Sequence, residues 1–78
     1  MSKKADKNII KGFENGGASN VKLYGDGKHR NAEMEINGIK CIVHKIPSSS
    51  HLDDSALFRK GRDMARRFLK YNVNTLAW

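Results

Sequence analysis

Apolar residues recur along this chain with two different periods, and the switch between them lays out its architecture. Between Asp53 and Tyr71, Leu57, Gly61, Met64, Ala65 and Phe68 return at three- and four-residue steps, which puts them on one face of a helix. Arg59, Arg62, Arg66 and Lys70 return at nearly the same period on another face. The segment reads as one amphipathic helix, apolar toward a core and cationic toward a partner. Asp53 and Asp54 in its first turn and Lys70 in its last suit the helix dipole. Gly61 costs about 1 kcal/mol relative to Ala in a helix, so it reads as a point of close packing or, alternatively, as a weak spot.

Upstream the pattern is shorter. Ile9, Ile10 and Phe13 predict a helix of about two turns, capped by Asp6 or Asn8 and stopped by Glu14-Asn15-Gly16-Gly17. Val21 and Leu23 alternate with Lys22 and Tyr24, a first strand that Gly25-Asp26-Gly27 breaks. Ala32, Met34 and Ile36 alternate with Glu33 and Glu35, the period of two of a half-buried strand. Asn37-Gly38 accepts positive φ at both positions and predicts a two-residue type I′ hairpin turn. Ile39, Cys41 and Val43 then alternate with Lys40, Ile42 and His44 as far as Ile46, where Pro47 ends the strand. Ser48-Ser49-Ser50 forms a loop before the long helix, and Asn72 ends that helix.

The predicted fold is α+β, in the order α-β-β-β-α, with a three-stranded antiparallel sheet covered on one face by two helices. The free face carries Glu33, Glu35, Lys40, Ile42 and His44. Residues 1–7 read as a flexible basic arm, 8–72 as a single domain and 73–78 as an apolar tail. In that tail Leu76 and Trp78 either fold back on the body or anchor a partner.

Composition narrows the function. Seventy-eight residues bury roughly 60–65% of the unfolded surface, too small a core for machinery needing several buried walls. A single Cys41 excludes an intrachain disulfide and points to a reducing compartment. No apolar run has the length of a membrane span and no signal peptide is visible, so a cytoplasmic location without a membrane partner is expected. A net charge of +7 attracts polyanions, nucleic acid foremost, with an acidic protein as the alternative.

The candidate chemistry sits in two places. In Gly25-Asp26-Gly27-Lys28-His29-Arg30-Asn31, an imidazole lies between two cations beside glycines that let a phosphate approach. Neighbouring positive charge favours the neutral imidazole, which accepts a proton, so His29 is a candidate general base with Lys28 or Arg30 stabilising developing charge. The plainer alternative makes His29 one more phosphate contact. The second place is the stripe Arg59, Arg62, Arg66 and Lys70, suited to bidentate phosphate contacts; its plainer alternative is a solvated face partly neutralised by Asp63. His29, Cys41, His44 and His51 form none of the close pairs of a zinc site, and no nucleotide-binding glycine loop is present. No metal or cofactor is implied.

A short helix, Gly27-Lys28-His29 after the first strand, a hairpin, Pro47 after the third strand and a final basic helix together resemble the HicA-like toxin family. The likeness covers roughly Lys7 to Tyr71. It implies a double-stranded-RNA-binding-domain-like fold, mRNA interferase activity with His29 at the catalytic position, and an antitoxin protein as partner. The chain departs from that family where Pro47 is followed by Ser48 and Ser49, with His51 displaced, and in lacking a leucine-glycine opening to the last helix. Asp53-Asp54 also replaces the Lys-rich start of a double-stranded-RNA-binding helix. The same layout is similar to short phage and prophage proteins.

Two functions of different class follow. One is RNA binding through Lys28, Arg30, Arg59, Arg62, Arg66 and Lys70, with RNA cleavage by His29. The other is a small phage-type inhibitor docking on a host protein or nucleoprotein through Arg59, Arg66 and Trp78. Exposed Ile42 and the apolar tail leave room for a homodimer.

Overall fold

The computed structural model describes residues 3–25, 29–47 and 53–78. The fold is α+β, with two helices and a four-stranded mixed sheet. Helix α1 (Lys3–Asn15) is followed by strands β1 (Ser19–Tyr24), β2 (His29–Ile36) and β3 (Ile39–Pro47), helix α2 (Asp54–Tyr71) and strand β4 (Thr75–Ala77). The sheet order is β1-β2-β3-β4.

Two boundaries differ from the sequence expectation. Helix α1 starts at Lys3, so residues 3–7 are helical rather than a free arm. What holds its first turn is tertiary: Asp6 reaches the sheet, as described below. At the other end, residues 75–77 form a fourth strand that pairs with β3 in parallel, Ile42 opposite Thr75 and Val43 opposite Leu76. The sheet is therefore four-stranded and mixed, not three-stranded and antiparallel. The pairing gives the edge of β3 backbone partners, Ile42 N–H donating to Asn74 O at 3.0 Å and Trp78 N–H to His44 O at 2.7 Å.

The β2–β3 hairpin forms where the pattern predicts it. Asn37 and Gly38 have φ of 53° and 77°, the left-handed pair that a type I′ turn requires. From there Ile36 pairs with Ile39, Met34 with Cys41 and Ala32 with Val43. Farther along, Arg30 pairs with Ile46, so His44 and Lys45 together oppose Asn31 in a β-bulge. Lys45 absorbs the extra residue at φ 63°. The bulge keeps both Val43 and Ile46 on the buried face although they are three apart. A second bulge lies in β1, where Asn20 takes φ 52° between the pairs Ser19–Glu35 and Lys22–Glu33.

One hydrophobic cluster joins both helices to one face of the sheet: Ile9 and Phe13 from α1, Ala32, Met34, Ile36, Cys41, Val43 and Ile46 from the sheet, and Leu57, Met64, Ala65 and Phe68 from α2. Leu76 and Trp78 pack against it. The helices touch backbone to backbone through small residues. A Cβ on Gly12 would strike the carbonyl oxygen of Phe58, and one on Gly61 would lie 2.8 Å from Ile9 O. Gly61, with its helix-propensity cost, sits where only a hydrogen fits. Asp53 caps α2 by accepting from Ala56 N–H at 2.7 Å, and Asn72, at φ 54°, ends it in the left-handed conformation. No helix among the described residues is long and apolar enough to cross a membrane.

Candidate nucleic-acid interface

The residues expected to act together separate into three environments. Arg30 points inward. Strand alternation puts it on the same face as Ala32 and Met34, and it is only 4% exposed. There it meets Asp6 in a two-pronged ion pair, Nη2 to Oδ1 at 2.6 Å and Nη1 to Oδ2 at 3.0 Å. The hydrogen bond to Asp6 holds the guanidinium above its ordinary basicity, with burial opposing and the carboxylate charge reinforcing it. Arg30 is thus a structural cation, and its expected phosphate contact is corrected by its burial. Its pairing across α1 and β2 is invisible to a local reading of Lys28-His29-Arg30. Lys28 lies outside the described residues.

His29, one residue before, takes the opposite direction and is exposed at the start of β2. The face it joins is the one expected to be free, with Glu33, Glu35, Lys40, Ile42 and His44. Cross-strand pairing sets these in rows, Lys22-Glu33-Ile42-Thr75 and Tyr24-Asn31 beside His44 and Ala77. Lys40 pairs with Glu33 at 3.3 Å. His44 Nδ1 lies 2.9 Å from Asn31 Oδ1, a contact in which the ring nitrogen donates and the amide oxygen accepts. Acidic and basic groups alternate on this face, so it carries no uniform field.

Helix α2 does. Arg59, Arg66 and Lys70 are exposed along the side opposite its buried stripe, and Arg62 is half-buried on one flank. From Arg59 to Lys70 this row extends about 17 Å at roughly 1.5 Å per residue. Arg62 Nε is drawn to Asp63 at 3.3 Å, while among the described residues no carboxylate pairs with Arg59, Arg66 or Lys70. Arg67 is exposed on the other flank, a cation the periodic count passed over because it breaks the three- and four-residue step. The structure therefore does not join His29 to the arginine stripe: one lies on the free sheet face, the other on the outer side of the helical layer.

Trp78 folds back on the body. Its ring meets Phe13 edge to face, centroids 6.2 Å apart at 79°, and Lys60 Nζ stands 5.0 Å from the indole centroid. Between it and α2 runs a groove of about 380 Å³, walled by Arg59, Lys60, Asp63 and Arg67 with Met64 at its base. Among the described residues no cluster of three or more His, Cys, Asp or Glu side chains could hold a metal ion. No protein-family model, curated protein or solved structure matches the chain.

Proposed function

We propose that the protein binds nucleic acid, RNA foremost, by laying the outer face of α2 along the phosphate backbone. The observation that carries this reading is the row Arg59, Arg66 and Lys70, exposed and without carboxylate partners among the described residues, on a chain of net charge +7. Guanidinium groups on a rigid helix lose little freedom when they clamp phosphates, and such contacts need no base reading. Arg30 is not part of this row, being held by Asp6.

The test is anisotropy of a labelled RNA against salt. Each phosphate contact contributes roughly 0.7–0.9 to the slope of log affinity on log salt. Replacing Arg59, Arg66 and Lys70 together by Gln should lower that slope by about two and leave the fold intact, since all three are solvent-exposed. Affinity that is flat in salt, or indifferent to the triple replacement, would remove this reading in favour of a protein partner for the same surface.

RNA cleavage is a second reading, favoured by one observation. His29 and His44 share the free sheet face, and Asn31 fixes the His44 ring through its Nδ1 at 2.9 Å. One imidazole taking the proton of a ribose 2′-hydroxyl and the other supplying a proton to the departing 5′-oxygen would cleave RNA without a metal. Cleavage that persists in chelator and disappears in both His29→Ala and His44→Ala, with RNA binding retained, is the result this reading requires.

A further inference from the structure

The groove beside Trp78 does more than extend the cationic surface. It brings an indole, three cations and one carboxylate to a single concavity, within the roughly 300–1,000 Å³ typical of small-ligand sites. We propose that this groove is a stacking site for one unpaired base of a single-stranded nucleic acid whose backbone runs along α2; the inference rests on the phosphate-binding reading above.

Each wall has a part. The indole is held against Phe13 in an edge-to-face contact, at 6.2 Å and 79°, and the residue's backbone N–H donates to His44 O at 2.7 Å, so stacking on it costs little ordering. Lys60, now 5.0 Å from the ring centroid, occupies the place of a cationic partner on a flexible stem and can move from ring to phosphate when a base arrives. Arg59 belongs both to the groove and to the outer row, so a strand tracking Arg66 and Arg59 delivers its next base to Trp78. Asp63, although its Oδ1 faces Arg62 Nε at 3.3 Å, keeps further acceptor capacity, so it takes the amino group of a base better than it takes a phosphate. A paired base is already stacked and hydrogen-bonded inside its duplex and does not enter; an unpaired one presents its face freely.

Trp78 is the single tryptophan of the chain, so its fluorescence reports the groove alone. The experiment titrates the protein with a labelled oligoadenylate of about eight nucleotides, an abasic ribose-phosphate chain of equal length, a fully paired duplex and polyglutamate, reading anisotropy and indole emission together. Oligoadenylate should quench Trp78 as it binds, while the abasic chain and the duplex bind without quenching. Trp78→Leu should weaken oligoadenylate about tenfold and leave the abasic chain unchanged. Should that variant unfold, Arg67→Gln, on the groove's exposed wall, should still reduce the quenching. Oligoadenylate binding without quenching, or equal quenching by the abasic chain, overturns the stacking site and leaves the backbone reading standing. Equal quenching by polyglutamate overturns it in favour of an acidic protein segment. Binding of none of the four overturns both.

Discussion

Asp6 and Arg30, twenty-four positions apart in sequence, form a two-pronged ion pair that fastens the first turn of α1 to the start of β2, with Arg30 Nε buried and unpaired among the described residues. Such a pair is costly to break from one side only, because the remaining charge stays out of water. Asp6→Ala should lower unfolding free energy by about 3 kcal/mol. Arg30→Met, which leaves the more accessible partner behind, should cost less. The double variant should recover most of the Asp6→Ala loss. Urea unfolding of the three proteins checks this; strictly additive losses would show that the pair is not coupled.

The helix crossing makes a second prediction, with opposing terms. Gly12→Ala gains about 1 kcal/mol in helix propensity but drives a methyl into the Phe58 carbonyl. Overpacking against backbone costs roughly 1–3 kcal/mol and should prevail, since neither helix can back away without opening the core between Ile9, Phe13 and Met64. A thermal melt should show Gly12→Ala below the parent and Lys11→Ala, on the exposed side, near or above it.

Lys45 holds a left-handed conformation at φ 63° on an exposed bulge, which costs an L-residue roughly 1–2 kcal/mol relative to glycine. Lys45→Gly should therefore stabilise the protein by about 0.5 kcal/mol after the extra entropy of an unfolded glycine is subtracted. No change in far-ultraviolet dichroism and a higher urea midpoint are the expected outcome; a lower midpoint would mean the lysine stem packs usefully.

Cys41 is buried between Ile39 and Val43, and desolvation pushes its thiol above the ordinary 9.0. The folded state therefore keeps the proton more tightly than the unfolded chain does. Stability is undiminished below the unfolded value and falls as pH rises past it toward the folded one. Urea unfolding should show that alkaline decline in the parent and a shallower one in Cys41→Ala, and a thiol reagent should label Cys41 only through opening of the fold. Rapid labelling of the native protein would contradict its burial.

What could be read from residues was whatever is local and periodic. The buried stripe of α2 contains Leu57, Gly61, Met64, Ala65 and Phe68, all members of the apolar repeat. Asn37-Gly38 sets the hairpin because its backbone preference needs no tertiary help. The free-face residues followed from the register that turn imposes. What escaped was decided at a distance. Thr75-Leu76-Ala77 has too few residues for a period, and its partner strand β3 lies on the far side of α2 in sequence. Arg30 reads as surface until Asp6 is brought to it, so the loop around His29 looked more cationic than it is. The groove was hidden because Lys60 and Arg67 flank the helix face that periodicity singled out, and because Trp78 meets them from another element.

The parallel pairing of β4 also orders the assembly of the molecule. Antiparallel neighbours β2 and β3 can zip from their turn within microseconds, and α1 can dock early on the surface they make. The last strand pairs with β3 across the whole of α2, and a non-local pairing of this kind requires loop-closure entropy before its contacts reward it. Leu76 and Trp78 arrive with it. A partly assembled chain would therefore expose the edge of β3 and one side of Phe13, the surfaces from which misassociation starts, and the indole that completes the groove also seals the interior.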